Sequence, residues 1–516
     1  MYQPLNPAAS RGGSESLQDL VHAGLSIVDN QGGLRPQLAE AVPSLENGLW
    51  KVLPNGRMET TWMIRDGARW QDGKPFTAED LVFTIRVGQD PELAEFDSLA
   101  YRSLDRAEAI DAKTVKLTWN RTYIDADSMF TRGLIPPLPR HILEGPLADS
   151  KAGFNQLAYW GEEFVGAGPY RIREWVRGSH VTLVATNDYL HGRPKIEQIE
   201  VRFVSDLNAL AANVLAGEIE VTLGKSLSLE PALAVQARWT SGRMEVTPAN
   251  PIQIHPQFLN PDPAIVGDVR FRRALYQAID RQELIDALLA GQSVVAHSWL
   301  SPIDPPQYKP IEASIVRYTY DPQSSVRAIE GLGYTRGPEG QFRDASGQEL
   351  ALEYRTVAAD INEKILLSVS HGWRGIGVGV DPIIVPPQRL TEMPYRAIFP
   401  ALEMTRGSGD LGTLGWIHSK AARTAENNYR GSGGTNYPRY MNPEFDALID
   451  AFSIAIPLDE RIRLGGQIVH HMTDQLIEMP LFYDTEPTLI RNNLKNITAR
   501  QLRSSHAWNG HEWDKD

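Results

Sequence analysis

Alternation of apolar and polar residues sets out the first elements of this chain. Thr60–Arg65 (TTWMIR) reads as a strand closed by the Asp66–Gly67 turn. Thr114–Trp119 (TVKLTW) places Val115, Leu117 and Trp119 on one face, and Ile199–Val204 (IEVRFV) alternates in the same way. Such segments are expected to be half-buried strands of a mixed sheet with one covered face. Helical spacing alternates with them. Thr77–Asp80 (TAED) has the spacing of a capping box, Leu81, Val82 and Ile85 follow, and Gly88 ends the run. Asp268–Gly291 predicts two helices. Asp268 caps the first. Asp280 and Glu283 have capping-box spacing for the second, which should bury Leu284, Ala287 and Leu288 and stop at Gly291.

Gly166–Trp175 (GAGPYRIREW) poses a choice, because closely spaced glycines also cradle phosphates. That reading needs a helix whose first amides face the anion. Pro169 follows Gly168 and has no amide hydrogen. The alternation from Tyr170 onward then fits a strand, so Gly166 and Gly168 are read as a tight turn feeding it. Proline-rich joints fall at 247–257 and 478–487, with a self-sufficient set of elements between them. This predicts two lobes joined by two strands, with the C-terminus returning to the first lobe.

Composition narrows the class. At 516 residues the chain has room for two to four globular units, and no short repeat is visible. With 42% hydrophobic and 22% charged residues it should fold. Its 12 Trp and 17 Tyr suit a concave site for organic ligands, although packing explains most of them. The net charge of -13 argues against general nucleic-acid binding. The absence of cysteine excludes disulfides, thiolate nucleophiles and Cys-ligated zinc. No stretch approaches the roughly 20 apolar residues of a membrane span. The first 17 residues hold neither a basic nor an apolar leader. Either the protein is not secreted, or a signal peptide was removed before Met1.

Catalytic signatures dissolve on inspection. Leu223–Ser226 (LGKS) lacks the glycine that a phosphate loop needs at position 219, which is Ile, and its lead EIEVTL reads as a strand. Gly407–Gly412 (GSGDLG) has no clear strand before it. There is no G-x-S-x-G and no H-E-x-x-H. His470 and His471 are adjacent and would diverge on a helix. His506 and His511 are read as surface or packing histidines.

Several stretches together resemble the family 5 extracellular solute-binding proteins of ABC importers, the group of dipeptide-, oligopeptide- and nickel-binding proteins. They are WMIRDGARWQDGKPFTAEDLVFTI (62–85), VGAGPYRIREWVRGSHVTLVATNDYLHGRPKIEQIEVRFVSD (165–206), LAGEIEVT (215–222) and DVRFRRALYQAIDRQELIDALLAG (268–291), extended by NPEFDALID and MPLFYD. Order and spacing hold from about residue 5 to 490. The resemblance implies an α/β, two-lobed periplasmic-binding-protein fold (type II, cluster C-like) with mixed sheets. Lobe I would be 1–250 plus 483–516, with about 50–160 an inserted subdomain. Lobe II would be 251–482. It also implies a periplasmic monomer, without catalysis or cofactor or metal, that closes on a small solute in an interlobe cleft and presents it to permease subunits.

The resemblance places candidate ligand contacts as well. Ser10, Arg11, Ser14 and Glu15 lie on the loop after the N-terminal LNP. Arg132 lies near a ligand-binding arginine of some relatives, where its fork would suit a carboxylate or phosphate. Met404, Thr405 and Arg406 stand where peptide binders carry an aspartate for the peptide's amino terminus, with Asp410 a later substitute. That departure turns the expectation toward an opine or sugar-acid-like solute beside oligopeptide-like ones. Trp416, Tyr483 and Thr485 complete the set, while Gly166, Gly168, Asp280 and Arg281 are read as scaffold. Two other readings compete: a sensor or co-receptor with the same fold, and a hydrolase using Glu15 and Asp410 as paired carboxylates.

Overall fold

The computed structural model describes residues 14–96, 98–301, 306–407, 411–429, 436–500 and 503–516. It divides into two units, Met1–Thr247 with Glu486–Asp516, and Pro248–Thr485. Helix α1 (Ser14–Val21) opens the described part of the first unit. Strands β1 (Trp50–Val52), β2 (Met58–Met63), β3 (Leu104–Ala109) and β4 (Thr114–Trp119) make an antiparallel sheet in the order β1-β2-β4-β3. In β4 the exposures alternate along the strand, with Val115, Leu117 and Trp119 buried, as the sequence pattern requires.

Helix α2 (Ala78–Gly88) packs beside this sheet and against α3 (Arg140–Asp149). Its start is the predicted capping box. Thr77 N donates to Asp80 Oδ2 at 2.9 Å. The buried Asp80 also accepts from Trp70 Nε1 at 3.3 Å and Arg140 N at 2.9 Å, so one carboxylate joins a cap, a loop and the next helix.

The Gly166–Gly168 segment leads into strand β5 (Tyr170–Val176), as the alternation predicts. The glycines, however, are demanded by close approach. A Cβ on Gly166 would lie 2.0 Å from Val21 O, and one on Gly168 would lie 2.3 Å from His22 N. Gln71 stitches the contact, donating to Val21 O, Gly168 O and Tyr170 O and accepting from Gly166 N. β5, β6 (His180–Ala185) and β7 (Gln198–Arg202) form a second antiparallel sheet. β7 falls short of the expected covered face. Ile199 and Val201 are half-buried, and the neighbouring Phe203 is 41% exposed. Helices α4 (Leu207–Ala216) and α5 (Leu229–Gln236) bury Leu210, Val214, Ala232 and Val235 with Trp239 and Leu489. The lead EIEVTL is not a strand. It makes one isolated bridge, Val221 to Ile490.

Strand β8 (Gly242–Pro256) leaves the first unit, and β12 (Met479–Arg491) returns to it. The second unit holds α6 (Val269–Gln277), α7 (Arg281–Leu289), α8 (Pro322–Gly331), β9 (Ala351–Val357), α9 (Asp360–Gly375), β10 (Gly379–Val385), β11 (Leu402–Arg406), α10 (Pro443–Ile454) and α11 (Leu458–Asp474). Its mixed sheet runs β10-β9-β11-β8-β12. β9 is parallel to both neighbours, and β11 is antiparallel to β8.

Asp268 and Asp280 cap α6 and α7 as expected, accepting from Arg270 N and Glu283 N. The buried face of α7 differs from expectation. Leu284, Ile285 and Leu289 are inside, whereas Ala287 is exposed and Leu288 only half-buried. The helix is turned by one residue because buried Arg281 sets its first turn, donating to Tyr276 Oη and Ala296 O.

Candidate functional site

Two clusters of polar side chains stand out in the first unit. α1 carries Glu15 and Asp19 four residues apart, on one helix face. Asp19 accepts from Arg132 Nε at 3.1 Å and from Ser505 Oγ at 2.6 Å. Burial pushes the Asp19 carboxyl up, against the pull of Arg132. Arg132 also donates to Arg503 O at 3.3 Å, so its fork is directed by α1 and the C-terminal segment. In the second cluster Glu486 holds Arg500 from both oxygens, with NH2 to Oε2 at 2.8 Å. Arg500 NH1 lies 3.7 Å from Glu15 Oε1. Next to them His506 pairs with Thr488 Oγ1 at 2.9 Å. Burial, then the Arg500 charge, lowers its pKa to about 3 and keeps the ring neutral.

The second unit has its own arrangement. Arg406 Nε donates to Asp484 Oδ2 at 2.8 Å, with the arginine side chain 39% exposed and the aspartate 7%. One residue earlier, Thr405 Oγ1 meets His255 Nε2 at 2.7 Å. His255 Nδ1 lies 3.3 Å from Glu478 Oε1, and Gln253 Nε2 donates to the same oxygen. Tyr437 stacks on His255, and the Arg423 guanidinium lies 4.8 Å over Tyr437. Burial raises the Glu478 pKa. Gly407 lets the Gln253 side chain lie on the backbone, since a Cβ there would come within 2.6 Å of it.

Deeper in the same sheet, Glu403 Oε2 accepts from Arg355 Nε at 2.9 Å and NH2 at 2.7 Å, while Oε1 pairs with Arg396. All three side chains are buried.

The residues proposed from sequence take different places. Ser10, Arg11 and Asp410 lie outside the described residues. Ser14 is buried at the start of α1, and Glu15 is partly exposed beside Arg500. Arg132 is tied to Asp19. Met404 is 1% exposed, with Tyr354 Oη 3.3 Å from its sulfur, so its side chain belongs to the sheet's core. Thr405 and Arg406 emerge at the end of β11 with partners on β8 and β12. Trp416 ends the turn Leu411–Trp416 and is half-buried. Tyr483 is buried with Oη donating to Leu300 O, and Thr485 is 2% exposed.

On β12 the ionic partners have the other parity. Asp484 and Glu486 hold Arg406 and Arg500, whereas Tyr483 and Thr485 were the residues singled out. The available signal was two acids in an otherwise apolar strand, because a buried acid needs a partner. Asp19 and His255 gave no such signal. Their partners lie more than 100 residues away. The histidines serve packing: His471 stacks on Phe445, and His511 lies against Tyr189 and His191. Among the described residues no group of three or more His, Asp or Glu could hold a metal ion.

Comparison with known proteins gives this architecture a family. The profile of the bacterial extracellular solute-binding proteins, family 5 (middle), matches residues 34–436. The oligopeptide-binding protein AppA of Bacillus subtilis is 24% identical over 450 residues, 86% of this chain and 77% of that protein. Heme-binding protein A of Haemophilus influenzae is 24% identical over 464 residues, 85% and 77% of the two. Among solved structures, an oligopeptide ABC transporter periplasmic protein from Thermotoga maritima superposes with a TM-score of 0.80 at 19% identity, over 100% of this chain and 96% of that one. NikZ from Campylobacter jejuni, in complex with Ni(L-His), gives 0.75 at 20%, over 99% and 97%. The fold is therefore that of the two-lobed periplasmic binding proteins, and the chain belongs to the bacterial extracellular solute-binding proteins of family 5.

Proposed function

We propose that this protein is the solute-binding component of an ABC import system, which captures a small solute and hands it to the membrane permease. The observation that carries this reading is the family match over residues 34–436, joined to a fold match over essentially the whole chain. Relatives are named for oligopeptides, for heme and for nickel bound as a histidine complex, so family membership leaves the solute class open.

The side chains narrow it. Each unit holds a partly exposed arginine on a buried carboxylate: Arg132 on Asp19 and Arg500 on Glu486 in the first, Arg406 on Asp484 in the second. Such arginines are pre-oriented and permanently charged, which suits recognition of a carboxylate. The reading favours a solute bearing carboxylates: an opine, a sugar acid, or a peptide held by its C-terminus. The protein acts as a periplasmic monomer, without catalysis.

Native mass spectrometry of the purified protein tests this, with identification of any small molecule released on denaturation. A carboxylate-bearing compound at one-to-one stoichiometry supports the reading. An empty protein that shows no thermal shift with peptides, opines, sugar acids or metal chelates refutes it.

A further inference from the structure

The second unit buries one carboxyl group that no arginine holds. Asp484 and Glu403 in that unit each meet an arginine, as do Asp19 and Glu486 in the first. Glu478 is 3% exposed and stands directly before β12. Among the described residues no lysine or arginine lies within ion-pair distance of it. Its neighbour is His255 of β8, whose Nδ1 lies 3.3 Å from Glu478 Oε1 without the geometry of a hydrogen bond. A buried carboxyl with no cation against it keeps its proton rather than its charge.

The hydrogen bonds point the same way. Gln253 Nε2 donates to Glu478 Oε1 at 2.5 Å, and the Gln253 side chain is buried. The second atoms of the same two groups, Gln253 Oε1 and Glu478 Oε2, are buried and have no partner. With the carboxyl ionised, both are acceptors and neither can serve the other. One proton on Oε2 makes it a donor to Gln253 Oε1 and satisfies both atoms at once. Acid and amide then share a ring of two hydrogen bonds. Turning the amide over gives an ionised carboxyl nothing, because it sets Gln253 Oε1 against Glu478 Oε1. Backbone rather than solvent covers the amide, since a Cβ on Gly407 would lie 2.6 Å from its Nε2 and 2.7 Å from its Oε1.

We propose that Glu478 carries a proton at neutral pH and closes a cyclic acid–amide pair with Gln253, a proton-dependent latch between the two strands that link the units. Gln253 lies on β8, Glu478 leads into β12, and the two strands are neighbours in the sheet. Burial raises the Glu478 pKa, against the pull of His255. The other charges around the pair are already matched or turned elsewhere. Glu403 stands opposite His255 in the sheet and is held by Arg355 and Arg396. Arg406 is held by Asp484, and Arg423 lies over Tyr437, which stacks on His255. A neutral Glu478 leaves His255 a neutral ring, whose Nε2 meets Thr405 Oγ1 at 2.7 Å. As pH rises the proton leaves to water, an ionised Oε2 faces Gln253 Oε1, and the latch opens. This holds whichever solute the protein binds.

Urea unfolding of the whole protein and of its Glu478→Gln variant from pH 5 to 7 tests this, with infrared spectra of both at pH 7. Glutamine keeps the ring as an amide–amide pair and cannot titrate. The unfolded glutamate releases its proton above about pH 4.3, while the folded one keeps it. The stability that this proton contributes is therefore complete below that pH and is lost as pH rises. The unfolding constant of the unsubstituted chain, divided by that of the variant, should rise about tenfold per pH unit. The variant should also lack one carboxylic-acid C=O band that the unsubstituted chain shows. A ratio independent of pH overturns the proposal. So does a ratio that falls as pH rises, which would mean a carboxylate paired with a charged His255. An acid band unchanged in the variant overturns it, and so does a variant that fails to fold, because glutamine supplies the same two hydrogen bonds.

Discussion

Replacing Glu403 by Gln isolates the electrostatics of the second unit's interior. The carboxylate is 0% exposed and stands between two arginines, Arg355 at 1% and Arg396 at 8%. Arg355 stays in place after the substitution. It donates to the carbonyls of Tyr395 and Arg396 and lies 5.1 Å from the Phe399 ring. Glutamine keeps the shape and can accept from one arginine. Its amide group then points donors at the donors of the other. Two buried cations lose their shared anion, and breaking a buried pair in this way costs about 3–5 kcal/mol.

One group nearby softens the loss. Glu353 lies two residues before Arg355 on β9 and shares its face. Its pKa is raised, first by burial and further by the Asp381 and Glu403 charges, against the pull of Arg355. With Glu403 neutral the pKa of Glu353 should fall, and its carboxylate should take up part of the compensation. The expected loss is therefore about 3 kcal/mol, at the low end of that range. Chemical denaturation at pH 7 measures it, with hydrogen exchange in β9 and β11 placing the loss in the second unit. A loss below about 1 kcal/mol would refute the argument, since it would show the arginines to be hydrated or neutralised by another group.

Three further outcomes are expected. Gly168→Ala places a Cβ 2.3 Å from His22 N and 2.4 Å from Val21 C, so backbone must move. We expect a loss of at least about 2 kcal/mol in thermal or chemical unfolding, and a silent substitution would show that α1 shifts freely. Acid should destabilise the first unit between about pH 6.5 and 4. Burial lowers the His22 pKa to about 4, its Nε2 bonds Pro137 O and its Nδ1 accepts from Ala167 N, so the folded state needs the neutral ring. The unfolded chain binds the proton first, and the stability lost is on the order of 3 kcal/mol once pH falls below 4. His506 adds to this, while Asp19, whose pKa burial raises, acts in the opposite sense as pH falls from that raised value toward the ordinary carboxylate range. Melting temperatures that are flat from pH 7 to 4.5 would contradict it. Arg406→Gln should weaken binding of a carboxylate solute by about ten- to a hundredfold and also lower the unliganded melting temperature, because the buried Asp484 carboxylate loses its arginine and keeps at best a neutral amide in its place. An unchanged Kd in calorimetry would remove Arg406 from the site.

Local rules in the sequence were enough for elements whose determinants sit within a few residues. The capping box at Thr77–Asp80 and the caps at Asp268 and Asp280 rest on contacts spanning at most three residues, and the alternation of Thr114–Trp119 is written in consecutive residues. The order of motifs along the chain also carried the family, because that signal is distributed over hundreds of residues. The face of α7 was misplaced by one residue, since the tie that sets it runs from Arg281 to Ala296 and Tyr318.

What only the tertiary structure decided is where charges find partners. The Asp19–Arg132, Arg406–Asp484 and His255–Thr405 contacts join residues 78 to 150 positions apart. Nothing local distinguishes these side chains from solvated ones. The glycines of GAGPY show the same division. Their presence and the strand after them are legible in the residues. Their reason is the backbone of Val21 and His22, more than 140 residues earlier, pressing where a Cβ would be. A strand's alternation likewise says that one face seeks cover, and only the folded chain shows that, among the described residues, β7 is the last strand of its sheet.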